Sequence, residues 1–340
     1  MSNSPVINIE LLRQSLINWF QREGKDYPWR QTSDPWAILV SELMLQQTTI
    51  ATVLGRYDSW MKQFPTPKHL AEVDEQVALR SWEGLGYYRR VRSLQAIARK
   101  ITEDYMGVFP DTEEAIKKLP GIGPYTSGAV LSFAFNKPAP IVDANVARVI
   151  SRLDNLEIPI DSAVGQKYLW NRAAQLVSPT NARLFNSALM ELGQNICTNG
   201  NPNCLLCPIR EFCTTSHPES LPIKKEKPPI SSIEHHDILY IRNRSILMAK
   251  CPENERHAGM YRFPQRNDDE TLSTPHIFKQ TYSVTRFRVT RYIHYVSSLS
   301  TIEKNEEFIP INQIHLYPLA SPDRKALHSS ALSSIIHHIL

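Results

Sequence analysis

The sequence is poor in glycine and cysteine and contains no long hydrophobic run. Of its 340 residues, 12 are glycine and 5 are cysteine. No apolar stretch reaches the length of a membrane-spanning helix, and no charged-then-apolar leader opens the chain. We therefore predict a cytoplasmic protein with no membrane partner. Because disulfides are rare in the cytoplasm, cysteines that are grouped in the sequence need another role.

Composition and charge set broader limits. Hydrophobic residues make up 42% of the chain and charged residues 21%, which is ordinary for a folded globular protein. The net charge of +4 and the pI of about 8.7 permit nucleic-acid binding without requiring it. At about 150 residues per domain, the length predicts two domains, and we expect a monomer.

The spacing of apolar residues separates a helical part from a strand-rich part. Residues 1–213 are predicted to form a helical domain, because stretches such as PWAILVSELMLQQ and ARLFNSALMELGQNI repeat apolar residues every three or four positions. Residues 214–236 are rich in Pro, Ser and Lys and predict a linker. In residues 237–340, DILYIRNRSILMAK and TRFRVTRYIHYV predict strands. One face of the latter carries Arg286, Arg288 and His294, and we interpret it as solvated rather than phosphate-binding.

Four of the five cysteines lie in one stretch, CTNGNPNCLLCPIREFC, with the spacing C-x6-C-x2-C-x5-C. A structural zinc site more often uses two separate C-x2-C pairs. This asymmetric loop, with Pro208 after the third cysteine, favours a [4Fe–4S] cluster, with zinc and coincidence as the alternatives. The predicted ligands are Cys197, Cys204, Cys207 and Cys213. Cys251 stands apart and is expected to be buried.

The stretch EEAIKKLPGIGPYTSGAVLSFAF predicts a helix, a tight turn and a second helix. Gly121 and Gly123 allow a close turn, and Pro124 suits the start of the second helix. Backbone N–H groups at such a start can hold a phosphate oxygen. Alone, this pattern fits an ordinary helical connection as well as a DNA contact. Its position ahead of the cysteine loop favours DNA.

Glu42 lies in the otherwise uncharged run WAILVSELMLQQTT. A buried carboxylate costs several kcal/mol unless it is paired, neutralised or used. An apolar environment raises the pKa of a carboxyl group, which a general acid working near neutral pH requires. The alternative is a helix position that faces solvent beside Ser41.

Taken together, these motifs carry a family resemblance. LPGIGPYTSGAV, then IVDANVARV and the four-cysteine loop, resemble the helix-hairpin-helix DNA glycosylase superfamily, and PWR, SELMLQQT and GLGYYRRVR narrow the resemblance to MutY-type adenine DNA glycosylases. It covers residues 10–213. It implies a mainly α fold of two helical subdomains with a [4Fe–4S] cluster and a DNA-binding cleft. It also implies a smaller, reduced Nudix-like α/β domain at the C-terminus, where MYRFPQ fits one strand.

The resemblance implies roles for four residues in base removal. Glu42 would be the general acid that protonates adenine N7, and Asp143 would stabilise or capture the oxocarbenium ion, with Asn145 beside it. Asp143 could equally be a helix N-cap, and both roles are compatible. Tyr125 stands where endonuclease III-like relatives carry a Schiff-base lysine. Ala147 stands where some relatives carry another lysine. We therefore predict a monofunctional glycosylase that leaves an abasic site.

The resemblance also implies residues that open the duplex and hold the flipped base, since an enzyme acting on a base must take it out of the stack. Gln46, Gln47 and Thr48 would probe the duplex, and Tyr88 would wedge beside the opposing base. Arg30 and Glu191 would line the adenine pocket. From the residues alone, these side chains could instead be core aromatics, surface charges or helix-face residues.

The C-terminal part departs from the family pattern. In place of an H-x-F-S-H loop that reads 8-oxoguanine, FKQTYSVTRF retains Ser283, has Tyr282 for Phe, and has Gln280 and Val284 at the histidine positions. A Nudix box is also missing, which argues against nucleotide hydrolysis. The predicted partner is double-stranded DNA with adenine opposite guanine or 8-oxoguanine. The alternatives are a glycosylase for another base, such as thymine opposite guanine, a non-catalytic iron–sulfur DNA-binding protein and an electron carrier.

Overall fold

The structure is a computed structural model that describes residues 8–226, 228–255, 257–284 and 286–339. The chain divides into two compact units. The first comprises residues up to Glu72 and Ser93–Glu226. The second comprises Val73–Arg92 together with the residues after Glu226. A segment that the sequence analysis assigned to the helical domain therefore packs with the C-terminal part of the chain.

Helices form the first unit and the segment inserted into its sequence. Many of them begin at a side chain that caps the first turn, such as Asn8, Thr49 and Ser162. In chain order, the helices are α1 Ile9–Glu23, α2 Pro35–Leu45, α3 Ile50–Gln63, α4 Pro67–Ala71, α5 Glu75–Ser81, α6 Arg89–Asp104, α7 Glu113–Lys117, α8 Pro124–Phe135, α9 Ala144–Leu153, α10 Ala163–Leu176 and α11 Ala182–Asn195.

Helix α2 lies at the centre of the first unit. Asp34 caps it by accepting a hydrogen bond from Trp36 N, and Pro35 occupies its first position. Every residue from Trp36 to Met44 is buried. A helix that is apolar on all sides must be enclosed by other elements, and α2 packs on α3 and α8. The side chain of Glu42 therefore lies in the interior of the first unit.

The second unit contains a mixed sheet. Its strands are β1 Ser231–Arg242, β2 Ser245–Lys250, β3 Tyr261–Arg262, β4 His276–Val284, β5 Phe287–Val296 and β6 Glu306–Pro310. The order is β3-β2-β1-β5-β4, with β6 paired to β2. Strands β1 and β5 are parallel, while β4 and β5 form an antiparallel hairpin. Helices α12 Asp269–Ser273, α13 Ser321–Leu327 and α14 Ser330–Ile339 complete the unit.

The prediction of a mainly helical chain with a smaller α/β part is confirmed, but the interpretation of one face of β5 as solvated is wrong in part. Arg288 is exposed, whereas His294 is 3% exposed and donates from Nδ1 to the carbonyl oxygen of Thr274 at 2.7 Å. Cys251 is buried, as predicted. Among the helices in the described ranges, none has both the length and the apolar character to cross a membrane.

Candidate active site

A cavity of about 1090 Å³ in the first unit collects most of the predicted site residues. Its walls come from the turn before α2, from α2 itself, from the α7–α8 hairpin and from the starts of α9 and α11. The predicted residues that line it are Arg30, Glu42, Gln46, Gln47, Thr48, Gly121, Gly123, Tyr125, Asp143 and Asn145.

The Glu42 carboxyl group faces this cavity from an apolar helix. The residue is 5% exposed, and the Tyr125 hydroxyl donates to Glu42 Oε2 at 2.8 Å. Burial raises the pKa of Glu42 to about 7, the Tyr125 hydrogen bond lowers it, and the nearby Asp143 raises it. A carboxyl group with such a pKa carries a proton over much of the neutral range, as a general acid must.

Asp143 begins helix α9 and also faces the cavity. Its Oδ1 accepts from Val146 N at 2.7 Å, and its Oδ2 accepts from Asn145 Nδ2 at 3.0 Å. Burial raises the pKa of Asp143, while these hydrogen bonds and Arg148 lower it, and the net shift is upward. The N-cap reading and the cavity-facing position both hold for this residue. The two hydrogen bonds fix the carboxylate in one orientation.

Arg148, which the sequence analysis missed, lies behind Asp143 and Asn145. It donates to Asn145 Oδ1 at 2.9 Å, to Gly193 O at 2.6 Å and to Cys197 O at 2.7 Å. A Cβ on Gly193 would lie 2.7 Å from Asn145 Cβ, so α9 and α11 approach closely only because that residue is glycine. The arginine connects the start of α9 to the beginning of the cysteine loop.

Arg30 and Glu191 form an ion pair of 2.8 Å between Arg30 Nη2 and Glu191 Oε2. The Arg30 guanidinium also lies over the rings of Phe20 and Tyr27, at 5.1 and 4.8 Å from their centroids. Arg30 lines the cavity, whereas the Glu191 side chain is fully buried outside the lining. Glu191 therefore orients Arg30 from behind, and Ser187, one turn earlier on α11, reaches the cavity wall.

The α7–α8 hairpin and the α2–α3 turn form one edge of the cavity. Gly121 has φ +77°, and a Cβ there would lie 3.0 Å from Ser93 Oγ, so the turn requires glycine. Gly123 caps α8 in an extended conformation with open space beside it, so the prediction that it enables the tight turn is wrong. Gln46 Nε2 lies 3.5 Å from Thr126 Oγ1, and Gln47 has φ +56°.

The predicted wedge, Tyr88, lies in the second unit and is 3% exposed. Its neighbour Tyr87 is 48% exposed with φ +46°, and the Arg90 guanidinium lies 5.6 Å from its ring centroid. A wedge must present its ring to the duplex. The structure therefore argues against Tyr88 and favours Tyr87 for that role, because the left-handed backbone at Tyr87 turns its ring outward.

Ser283 also lies in the second unit, as the next-to-last residue of β4, where it pairs with Arg288 of β5. It is exposed, while Tyr282 is half-buried, and burial raises the pKa of Tyr282. The hairpin thus offers a small hydroxyl to solvent at the place where the family pattern has its lesion-reading loop.

Comparison with known proteins shows the family of this chain. Residues 40–172 match the HhH-GPD superfamily of base excision DNA repair proteins. An adenine DNA glycosylase of Buchnera aphidicola subsp. Baizongia pistaciae is 31% identical over 89% of this chain and 87% of its own length. The human adenine DNA glycosylase is 41% identical over 61% of this chain and 40% of its own length. This chain belongs to the adenine DNA glycosylase family. It spans about two fifths of the length of the mammalian relatives that it matches.

Solved structures support the family's fold. A thermostable thymine-DNA glycosylase is 30% identical with a TM-score of 0.55, covering 61% of this chain and 95% of its own. A non-covalent endonuclease III–DNA complex has a TM-score of 0.51 at 22% identity, covering 61% of this chain and 96% of its own. The second likeness concerns the fold alone.

In this adenine DNA glycosylase family member, the four grouped cysteines lie in one loop after α11. Cys197, Cys207 and Cys213 pack against the core of the first unit, and Arg152 Nη1 lies 3.4 Å from Cys197 Sγ. Burial and the other three cysteines raise the pKa of the Cys207 thiol to about 12. Within the described part of the chain, no three Cys, His, Asp or Glu side chains already converge as a metal site. The donor set itself, four thiols of one loop with a cationic neighbour, fits an iron–sulfur cluster.

Proposed function

We propose that this protein is a DNA glycosylase that removes adenine mispaired with guanine or 8-oxoguanine. The observation that carries the proposal is the pair of carboxyl groups, the buried Glu42 and the half-buried Asp143, on the wall of one cavity. Hydrolysis of a glycosidic bond uses two such groups, one protonated and one ionised. The names of the relatives agree with adenine as the base.

In the proposed reaction, Glu42 donates its proton to N7 of a flipped adenine, and the bond between N9 and C1′ breaks with its electrons leaving on the base. Positive charge develops at C1′ and the ring oxygen, and the Asp143 carboxylate, held by Val146 N–H and Asn145, stabilises it. Water then adds at C1′ and gives its proton to the Glu42 carboxylate. Acid catalysis of this kind typically contributes about 10²–10⁴-fold.

Tyr125 supports a monofunctional enzyme. Its hydroxyl is engaged with Glu42 at 2.8 Å, and it carries no amine that could form a Schiff base with C1′. We expect an abasic site as the product, with the DNA strand intact.

Double-stranded DNA is the proposed partner, bound by one copy of the chain. Ser127 N–H makes the first helical hydrogen bond of α8, to Gly123 O at 3.0 Å, so the N–H groups before it are placed to hold a phosphate oxygen. Gln46, Gln47 and Thr48 would probe the duplex from the adjacent turn, and Tyr87, rather than Tyr88, would wedge between bases.

Cys197, Cys204, Cys207 and Cys213 would hold a [4Fe–4S] cluster, which when bound would order the loop. Iron and acid-labile sulfide in equal amounts in the purified protein would support this assignment, whereas stoichiometric zinc would contradict it.

The decisive experiment is single-turnover base release from matched duplexes that carry adenine opposite 8-oxoguanine, guanine, cytosine or thymine. A thymine opposite guanine duplex belongs in the panel because of the likeness to a thymine-DNA glycosylase. We expect adenine release opposite 8-oxoguanine and guanine, and a rate lower by about 10²–10⁴-fold or more with Glu42→Gln. Equal rates opposite the two would mean that Ser283 and Tyr282 do not read the lesion. Release of thymine alone would overturn the proposal.

A further inference from the structure

The loop between α5 and α6 carries the exposed Tyr87, and we call Trp82–Tyr88 the tyrosine turn. It belongs to the same compact unit as the C-terminal sheet. The Arg90 guanidinium, 8% exposed, donates to Leu85 O at 2.7 Å and to Gly86 O at 2.9 Å. The turn is therefore held internally by carbonyl groups that converge on one buried cation.

A second arginine, Arg92, joins the helices on both sides of the turn to a distant segment. From the first turn of α6, its Nη2 donates to Glu75 Oε1 on α5 at 2.6 Å and to Ala258 O at 2.6 Å. Its Nε donates to the same Glu75 oxygen at 3.0 Å. Gln76 Nε2 adds a hydrogen bond to Gly259 O at 3.2 Å. One guanidinium thus fixes α5, α6 and the backbone near residue 258 together.

The distant segment is shaped to receive Arg92. Gly259 has φ +69°, and a Cβ there would lie 2.6 Å from Arg92 Nη2. A side chain at this position would therefore strain the backbone and would also displace the Arg92 guanidinium. Met260 is fully buried, and Cys251 N donates to Met260 O at 2.8 Å, so the segment is anchored in the sheet unit.

Two further contacts connect the turn itself to the C-terminal part. The ring of His257 meets the ring of Tyr88 edge to face, with centroids 6.5 Å apart. Glu83, the second residue of the turn, forms an ion pair with Arg324 on α13. The buried Tyr88 is thus part of the anchor, while Tyr87 points outward.

We infer that Arg92 is a positioning residue for Tyr87, and that residues 257–259 form the support that holds the tyrosine turn in place. The C-terminal part of the chain would then support duplex opening mechanically, in addition to any reading of the opposing base. This inference rests on the proposed function, because it assigns to the turn a role in extruding adenine.

The test compares the full-length wild type with Arg92→Ala, Gly259→Ala and Arg92→Lys. Arg99→Ala is the control, because Arg99 is exposed on the same helix and its loss changes the net charge equally. Amide hydrogen exchange of residues 82–91 reports on the contact. Fluorescence of 2-aminopurine in place of the target adenine reports on base opening. Release of adenine is measured opposite guanine and opposite an abasic analogue, where unstacking is easier.

We expect faster amide exchange in the turn and base opening slowed by roughly 10-fold to 100-fold in Arg92→Ala and Gly259→Ala, since small misplacements of working groups have effects of that size. Adenine release opposite the abasic analogue should recover most of the lost rate, and Arg92→Lys should be intermediate. A role in folding alone would lower both rates in proportion.

Unchanged opening in both Arg92→Ala and Gly259→Ala, or an equal loss on both duplexes, would overturn the inference. If the wild type releases no adenine from any duplex, the proposed function fails. Base opening and amide exchange still show in that case whether residues 257–259 position the turn.

Discussion

Buried carboxylates occur in both units of the chain, but their surroundings suit them to different roles. In the second unit, Asp237 and Asp323 flank the Arg291 guanidinium, which lies 2.5 Å from Asp323 Oδ1 and also pairs with Asp237. In the first unit, Glu42 forms no ion pair among the described residues, and its carboxyl group accepts from the Tyr125 hydroxyl beside a cavity. Burial raises the pKa of Asp237 to about 6 and that of Glu42 to about 7. Arg291 pairs with Asp237 and Asp323 and makes their site structural, whereas Glu42, which forms no such ion pair among the described residues, is the candidate acid.

The largest expected effect is on the rate of adenine release when Glu42, the candidate acid, is replaced. Glu42→Gln keeps the shape and removes the transferable proton, so adenine release should fall by about 10²–10⁴-fold or more. DNA affinity, measured on a duplex with a non-cleavable adenine analogue, should change little. Single-turnover kinetics check the first expectation. Excision at the wild-type rate would show that the proton comes from elsewhere.

In the second unit we expect the opposite pattern, a loss of stability with little change in the rate of excision. Arg291→Met leaves Asp237 and Asp323 buried without their cation, which should cost about 3–5 kcal/mol of unfolding free energy. Urea unfolding of the full chain measures this loss. Excision per folded molecule should stay near the wild-type value at low temperature. The exposed Arg288→Met is the matched control on the same strand and should have little effect on stability.

This contrast also shows which features the sequence could predict. The cysteine spacing, the glycine turn before α8 and the apolar run around Glu42 are local patterns, and the structure agrees with the last two, since Gly121 has the positive φ of a tight turn and Glu42 is buried. Arg291 pairs with Asp237, 54 residues earlier on the neighbouring strand β1, and with Asp323, 32 residues later on α13. The position of Arg148 behind Asp143 depends on how α9 meets α11. Neither leaves a local signal.

The sequence could not show which of Tyr87 and Tyr88 is exposed, for a different reason. Tyr87 and Tyr88 are identical neighbours, so their types cannot tell which ring faces out. That choice follows from the positive φ of Tyr87 and from the packing of Tyr88 near His257. The position of Glu191 behind the cavity wall has a similar cause, because one helical turn separates it from Ser187, which lines the cavity.

The next expected effect concerns stability and pH. Since the pKa of Glu42 is raised from 4.5 to about 7 in the folded protein, its favourable contribution is complete below pH 4.5 and is lost as pH rises through 7. Glu42→Gln should therefore gain stability relative to wild type between pH 5 and pH 8, by up to about 3 kcal/mol. Unfolding free energies of the wild type and Glu42→Gln at pH 5 and at pH 8 check the direction of this change. A relative loss at pH 8 would mean that folding lowers the pKa of Glu42 instead of raising it.

The smallest expected effect tests how Glu42 is tuned. The Tyr125 hydroxyl donates to the carboxylate and so lowers its pKa, against the larger effect of burial. Tyr125→Phe removes that donor while keeping the ring, so the pKa of Glu42 should rise by about one unit, the equivalent of a hydrogen bond to a charged group. The alkaline limb of the excision profile should move upward by the same amount, because Glu42 stays protonated to higher pH. A rate profile from pH 5 to 9 under single-turnover conditions measures it. A downward shift would mean that the hydroxyl instead stabilises the protonated acid, so that the Tyr125 hydrogen bond and burial together raise the pKa of Glu42.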